Sequence, residues 1–296
     1  MAKKRSFTIN LEYYTVLCVL QIFRLLPRIC IPVASQILGS LLWFVLPARR
    51  NIITKNLLRA FPEMPYSHRH TLARNFWPKF CSMIIHLIRY YGLPTEKRSR
   101  LIEWENLHYY SRAKKENKGI ILVSAHFSNW ELMGLALCSH GYAHAAVGRP
   151  LDNPRINKLI NSIRESSNMY VIPHRRAIKE NLKLLKNKKS IGLIIDQNFH
   201  HGGLFVNFFG TPASMTNLPA VLALKTGSPI LPVHGWHIKE KFHIRFDKPI
   251  LINPAQSAQP SSQELSQQCS DIIEGWIKEK PVYWLWAHDR WKRKPS

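Results

Sequence analysis

From residue 118 onward, short apolar runs alternate with stretches of helical spacing. The run GIILVSA (119–125) precedes a helical pattern reaching about residue 140. AHAAVG (143–148) precedes PRINKLINSIRE, and MYVIP (169–173) precedes a basic helical stretch over 175–189. SIGLIID (190–196) runs into a loop, and a helix over 217–226 leads to SPILPVHGW (228–236). Fully apolar strands separated by helices predict an α/β layer fold with helices on both faces of a sheet. KFHIRFDKP (241–249) alternates in the manner of an antiparallel strand, which makes the sheet mixed. The stretch 254–263 reads as a surface loop leading into a Ser-rich start of a helix over 262–279.

The first half has a different rhythm. Residues 13 to 46 are rich in Leu, Ile, Val, Phe and Trp, with only Arg24 and Arg28 as basic interruptions. Their cleanest part, 29–47, approaches the roughly 20 residues that span a bilayer. It carries Gln36, two serines and Pro32, so it is a marginal span. Trp43 and Phe44 near its end, beside Arg49 and Arg50, favour a membrane anchor, either spanning or half-inserted. A buried core helix is the alternative; a cleaved signal peptide fits poorly, because the apolar part starts too far from Met1. RRNIITKNLLRA (49–60) reads as a basic amphipathic helix. After the two prolines of FPEMPYS, residues 67–91 place Leu72, Phe76, Phe80, Ile84, Leu87, Ile88 and Tyr91 on one helical face. The expected organisation is an anchor region over 1–48, a helical subregion over 49–117 and an α/β core over 118–296.

Composition sharpens this picture. A chain of 296 residues that is 46% hydrophobic can bury a sizeable core. Its 42 basic against 18 acidic side chains give +24, which favours anionic partners: nucleic acid or an anionic membrane surface. Residues 171–190 concentrate that charge. The five cysteines form no C-x-x-C pair, and each is expected to be a reduced, buried, small apolar residue. The adjacent His200 and His201, in a Gly-containing loop, are a weak metal signal.

The chemistry is sought at the carboxyl ends of the strands, where open α/β sheets collect ligands. His126 ends one apolar strand and Asp196 ends another, which suggests a shared rim. In SAHFSNWELMG (124–134), Ser128 or Asn129 is a suitable N-cap, and Glu131 falls in the first turn of the helix that follows. If His126 lies in the turn, Glu131 can accept from its imidazole and the two form a base and its orienter. A plain helix cap beside a rim histidine explains the same spacing. The chain has no G-x-S-x-G, Walker, H-E-x-x-H or G-x-G-x-x-G motif. A base acting on a substrate hydroxyl is therefore the economical chemistry.

Five segments, in order, resemble the lipid A late acyltransferase family, part of the glycerolipid acyltransferase superfamily with its H-x4-D/E motif. They are RRNIITKNLLRAFPE (49–63), SAHFSNWELMG, GRPLDNP (148–154), IIDQN (194–198) with VNFFGTPA (206–213), and PVYWLWAHDRWKRKP (281–295). The tail departs from the family by reading His288-Asp289-Arg290 where a basic residue more often stands at the middle position. The resemblance implies a glycerolipid-acyltransferase-like fold and a bacterial inner-membrane enzyme with its catalytic domain on the cytoplasmic side. It implies transfer of a fatty acyl group from an acyl carrier protein thioester to a 3-hydroxyacyl hydroxyl of the Kdo-bearing lipid A precursor, without a further cofactor. His126 and Glu131 would be catalytic. Arg149, Arg164, Asp196 and Asn129 would be substrate-binding. Backbone N–H groups near 128–131 would face the oxyanion. The partners implied are the carrier protein, the lipid A precursor and anionic membrane lipids.

Two rivals are kept. One is a related acyltransferase acting on a lysophospholipid, an ornithine lipid or another glycolipid, with acyl-CoA as the donor. The other, a basic nucleic-acid-binding protein, finds no RNP-like stretch, zinc knuckle or helix-turn-helix pattern, and leaves the apolar N-terminal segment without a purpose. The apolar LFVNFFG loop (204–210) reads equally as an acyl groove or as core.

Overall fold

The computed structural model describes residues 2–199, 203–252 and 260–295. His200, His201 and most of the 254–263 loop lie outside the described residues. Helices α1 (Ala2–Leu25), α2 (Ile31–Val45), α3 (Pro47–Ala60), α4 (Tyr66–Tyr91) and the short α5 (Thr95–Ser99) come first. Then follow β1 (Ile102–Glu105), α6 (Leu107–Lys115), β2 (Ile121–Ser124), α7 (Trp130–Ser139), β3 (Ala145–Gly148), α8 (Pro154–Glu165), β4 (Tyr170–Pro173), α9 (Ala177–Lys186) and β5 (Ile191–Ile194). The chain continues with β6 (Leu204–Phe208), β7 (Thr211–Met215), α10 (Leu218–Thr226), β8 (Ile230–Ile238), β9 (Lys241–Phe246) and α11 (Ser262–Glu279).

Seven strands form one sheet in the order β1-β9-β8-β2-β5-β3-β4. Every neighbouring pair is parallel except β8 and β9, which are antiparallel, so the expected mixed sheet forms. Strand β2 sits inside it, and its side chains alternate between two cores. Ile121 and Val123 pack on one face with Ile53 and Leu57 of α3 and with Leu265 and Ile273 of α11. Ile120 and Leu122 pack on the other with Ala113 of α6 and Leu132, Met133 and Leu135 of α7. Both faces are therefore covered, which is why the strands read as unbroken apolar runs.

Three sequence expectations change. Residues 102–105, inside the region read as helical, form β1 at the edge of the sheet. The stretch read as an apolar loop is the first strand of the β6–β7 hairpin, and Val206 and Phe208 are buried in the core rather than lining a groove. Of the cysteines, all of them free, Cys81, Cys138 and Cys269 are buried, but Cys18 is exposed on α1 and Cys30 is half-buried.

The N-terminal helices pack onto the rest. The buried stripe of α2 is Ile31, Ser35, Gly39 and Trp43, one residue per turn. It lies on α4 at a point where a Cβ on Gly39 would fall 2.2 Å from the backbone nitrogen of Pro78, so only glycine permits that approach. The rest of α2 exposes the apolar Val33, Ile37, Leu41 and Phe44, with Gln36 as an exposed polar interruption. Arg28–Val45 is the one described helical segment long and apolar enough to cross a membrane. Asn153, at the start of α8, donates to the Ile9 carbonyl at 2.9 Å and to Glu12 at 2.8 Å, which ties α1 to the sheet domain.

Candidate active site

Strands β2 and β5 are parallel neighbours with Ser124 opposite Ile194. Two residues beyond that pair, at the carboxyl ends of both strands, lie His126 and Asp196. The register alone brings them together. Asp196 Oδ1 accepts the His126 backbone N–H at 3.0 Å and bonds the ring Nδ1 at 2.7 Å. Its other oxygen accepts the Trp284 indole N–H at 2.7 Å. Asp196 is only 3% exposed. Burial alone would raise its pKa, but the imidazole and these three donors outweigh burial and pull it to about 2. A carboxylate that stays ionised in this place makes Nδ1 the protonated nitrogen and leaves the Nε2 lone pair facing outward. The exposed Gln197 side-chain amide covers that lone pair at 3.2 Å. Trp130 packs edge-on against the ring, with centroids 4.9 Å apart.

Glu131 does not orient the imidazole. Its carboxylate faces Arg164, at the last turn of α8, in a two-point pairing: Nε to Oε1 at 2.6 Å and Nη2 to Oε2 at 3.1 Å. The expected His126–Glu131 contact is therefore replaced by two separate pairs. The physical reason is position. His126 lies in the strand-end turn beside β5, whereas Glu131 starts α7 on the side of β3 and α8. Asn129 is also reassigned. It is 3% exposed, caps α7 by accepting from Leu132 N–H at 3.3 Å, and donates to the Met83 carbonyl at 2.8 Å. Both ends of its amide are committed within the fold, so it is a tether between α4 and α7 rather than a substrate contact. Arg149 is exposed immediately after β3, as a rim position requires, and forms no ion pair with a described residue. The Ser128 N–H donates to the Tyr283 carbonyl at 2.7 Å and is not available to an oxyanion; the first turn of α7 is a nearby source of such donors.

Residues 1–293 match the family described as bacterial lipid A biosynthesis acyltransferase. The chain belongs to this family. It is 25% identical to a lipid A biosynthesis acyltransferase of Haemophilus influenzae, over 84% of this chain and 79% of the relative. It is 24% identical to the lipid A biosynthesis palmitoleoyltransferase of Escherichia coli, over 87% and 83%. A phosphatidylinositol mannoside acyltransferase of Mycobacterium tuberculosis is 26% identical over 54% of each chain. The chain is an acyltransferase.

In this acyltransferase the tail after α11 does structural work that the sequence did not reveal. Leu285 N–H donates to the His126 carbonyl at 3.0 Å, and Phe127 bridges antiparallel to Trp284. The tail thus lies along the His126–Ser128 turn and holds Ser128 at φ +48°, a conformation that costs a non-glycine residue energy. The tail is held in turn by α3. Asn56 donates to the Trp286 carbonyl at 2.8 Å and to the His288 carbonyl at 2.7 Å, and Arg49 donates to the Ala287 carbonyl at 3.2 Å. His288 Nε2 accepts from the Asn198 N–H at 2.9 Å. Arg290 is 1% exposed and donates to the Ser214 carbonyl, so it braces the β6–β7 hairpin from inside.

Sequence reasoning missed Gln197, Trp284 and Tyr91. The first two lie inside motifs that had been singled out. Tyr91 was counted only as part of the apolar stripe of α4. Its hydroxyl is buried and has no hydrogen-bond partner among the described residues. Burial drives its pKa up, and the charges of Glu131 and Arg164 are near enough to act on it.

Proposed function

We propose that the chain moves a fatty acyl group from an acyl carrier protein thioester to a hydroxyl of the lipid A precursor, with His126 as general base. The observation that carries the reading is the 2.7 Å bond between His126 Nδ1 and the buried Asp196. With Nδ1–H held by a carboxylate, Nε2 is the basic nitrogen. Gln197 turns aside, and an acceptor hydroxyl takes its place. Nε2 removes the hydroxyl proton as the oxygen attacks the thioester carbonyl, and Asp196 stabilises the imidazolium. The tetrahedral intermediate expels the thiolate, which takes the proton back from Nε2, leaving ester and free thiol. Backbone N–H groups in the first turn of α7 face the developing oxyanion. Arg164, fixed by Glu131, and the exposed Arg149 are the phosphate or glycan contacts, since a guanidinium suits both.

The apolar outer face of α2 anchors the protein in the inner membrane, with the sheet domain in the cytoplasm, where thioester donors are made. Anionic lipids reinforce this through the basic surface, each Lys or Arg near the membrane contributing roughly 1 kcal/mol. The test uses membranes carrying the chain, acyl carrier protein thioesters and the lipid A precursor, read by mass spectrometry. His126→Ala lowers acyl transfer by about 10²–10⁴-fold. Undiminished transfer by that variant removes the base. The similarity to the mycobacterial phosphatidylinositol mannoside acyltransferase supports a second arm with a glycolipid acceptor, run with acyl-CoA as the alternative donor. A product formed only in that arm reassigns the acceptor and keeps the chemistry.

A further inference from the structure

A cavity of about 750 Å³ lies between α1, α2, α4 and the β8–β9 hairpin. His126, Glu131, Arg164 and Asp196 do not line it; from α7 it receives only the apolar Leu132. Three buried polar atoms of its lining residues have no hydrogen-bond partner among the described residues. One is the hydroxyl of Ser35, which is 3% exposed in the buried stripe of α2. The others are both ring nitrogens of His237 on β8, whose imidazole stacks on His86 of α4 with centroids 4.6 Å apart. Buried polar atoms are nearly always paired, so three orphans among the residues that line one cavity, with no partner among the described residues, mark this wall as unusually polar.

The surrounding charge gives the sign of that ligand. Arg24, Arg28, Lys79, Arg89 and Lys239 line the cavity, against one carboxylate, Glu240, which Arg28 already holds. Arg24, Lys79 and Arg89 form no ion pair with a described residue. Arg89 donates to the Leu26 carbonyl, and Lys79 Nζ stands over the Tyr283 ring at 4.5 Å. Burial lowers the pKa of both His86 and His237, so at neutral pH each imidazole is uncharged and offers one N–H. Guanidinium, ammonium, hydroxyl and imidazole donors around one space suit a multi-oxygen anion. Asn75 and Ser82 add two more polar side chains, and much of the rest of the wall is apolar, with Leu25, Ile31, Phe242 and Val282. One side of the cavity is α2, whose outer face exposes Val33, Ile37 and Leu41.

The geometry points to a second lipid site: the cavity takes the phosphate head of an anionic phospholipid, with an acyl chain along the apolar wall and α2. It clamps the N-terminal helices to the sheet domain through a lipid of the bilayer. This does not rest on the role of His126.

The full chain, purified in an uncharged detergent, is titrated calorimetrically with short-chain phosphatidylglycerol, with phosphatidylcholine of the same chains, and with inorganic phosphate. Phosphatidylglycerol binds saturably and at least tenfold more tightly than phosphatidylcholine. Lys79→Gln and, independently, Ser35→Val each weaken it at least fivefold, with Arg175→Gln on the exposed basic surface and His126→Ala unchanged. Equal binding of the two lipids overturns the site, as does an equal loss in Arg175→Gln and Lys79→Gln, or no loss in either cavity variant. Inorganic phosphate that displaces phosphatidylglycerol at the lipid's own concentration overturns the lipid assignment and makes the cavity a free-anion site.

Discussion

Two carboxylates stand on the same rim and do opposite things. Asp196 is 3% exposed, receives three hydrogen bonds and holds an imidazole. Glu131 is 25% exposed and pairs with a single arginine. The first corner is dry and fully paired, so it fixes a protonation state. The second is about a quarter open to solvent, so its pair is a weaker electrostatic unit, and the Arg164 Nη1 forms no hydrogen bond with a described residue. A family signature that joins His126 to Glu131 by spacing thus contains two devices, one in which Asp196 holds the imidazole and one in which Glu131 holds an arginine.

The largest expected effect breaks the dry corner. Asp196→Asn keeps the shape but removes the charge that stabilises imidazolium, and acyl transfer falls by about 10² or more, mainly in kcat. A loss under tenfold would mean that Asp196 is only structural. Next is Glu131→Gln, which gives up a charge-assisted pair worth about 1.5–3 kcal/mol and lowers transfer by roughly 10–10²-fold, with a raised KM. Glu131→Gln combined with Arg164→Gln is no worse than the poorer single variant, because the two act as a unit. Additive losses would separate them. Trp284→Phe removes one donor to Asp196 and is expected to lower kcat by about three- to tenfold, the worth of roughly 1 kcal/mol. A kcat unchanged while the melting temperature drops would leave Trp284 a packing residue only.

The smallest effect is on stability against pH, and it separates the corners again. Burial lowers the His288 pKa from 6.5 to about 4, and its neutral Nε2 accepts from Asn198 beside Asp196. The unfolded chain binds a proton there below about 6.5, and the folded chain only near 4. Stability is therefore full above 6.5 and falls as the pH drops through that window. Asp196, depressed to about 2, contributes stability above its ordinary 3.8 and loses it only as the pH falls toward 2. Melting temperature measured from pH 7.5 to 4 falls, by about 2–4 °C for each kcal/mol lost. His288→Gln flattens part of the decline. His237, lowered by burial to about 3, contributes in the same direction. An unchanged slope in His288→Gln would show that this imidazole is not protonated on unfolding in that range.

Most of the elements, and the position of His126 and Asp196 at strand ends, were set by the sequence alone. Apolar periodicity is local, so α3, α4, α11 and the buried strands could be read from it, and the turn after β2 marked His126 as a rim residue. Strand β1 was missed because IEWE is short, charged and at a sheet edge, and the β6–β7 hairpin because an apolar run of seven has no period of its own. The shared rim of His126 and Asp196 was legible from two strand ends, but the contact between them was out of reach for a different reason. Asp196 is 70 residues away, and what joins them is that β2 and β5 lie side by side with Ser124 opposite Ile194. Register between strands is set by the packing of the whole sheet, and no window of sequence contains it. The same holds for the tail that braces the turn and for the cavity behind α2: each is made of distant segments brought together only by the fold.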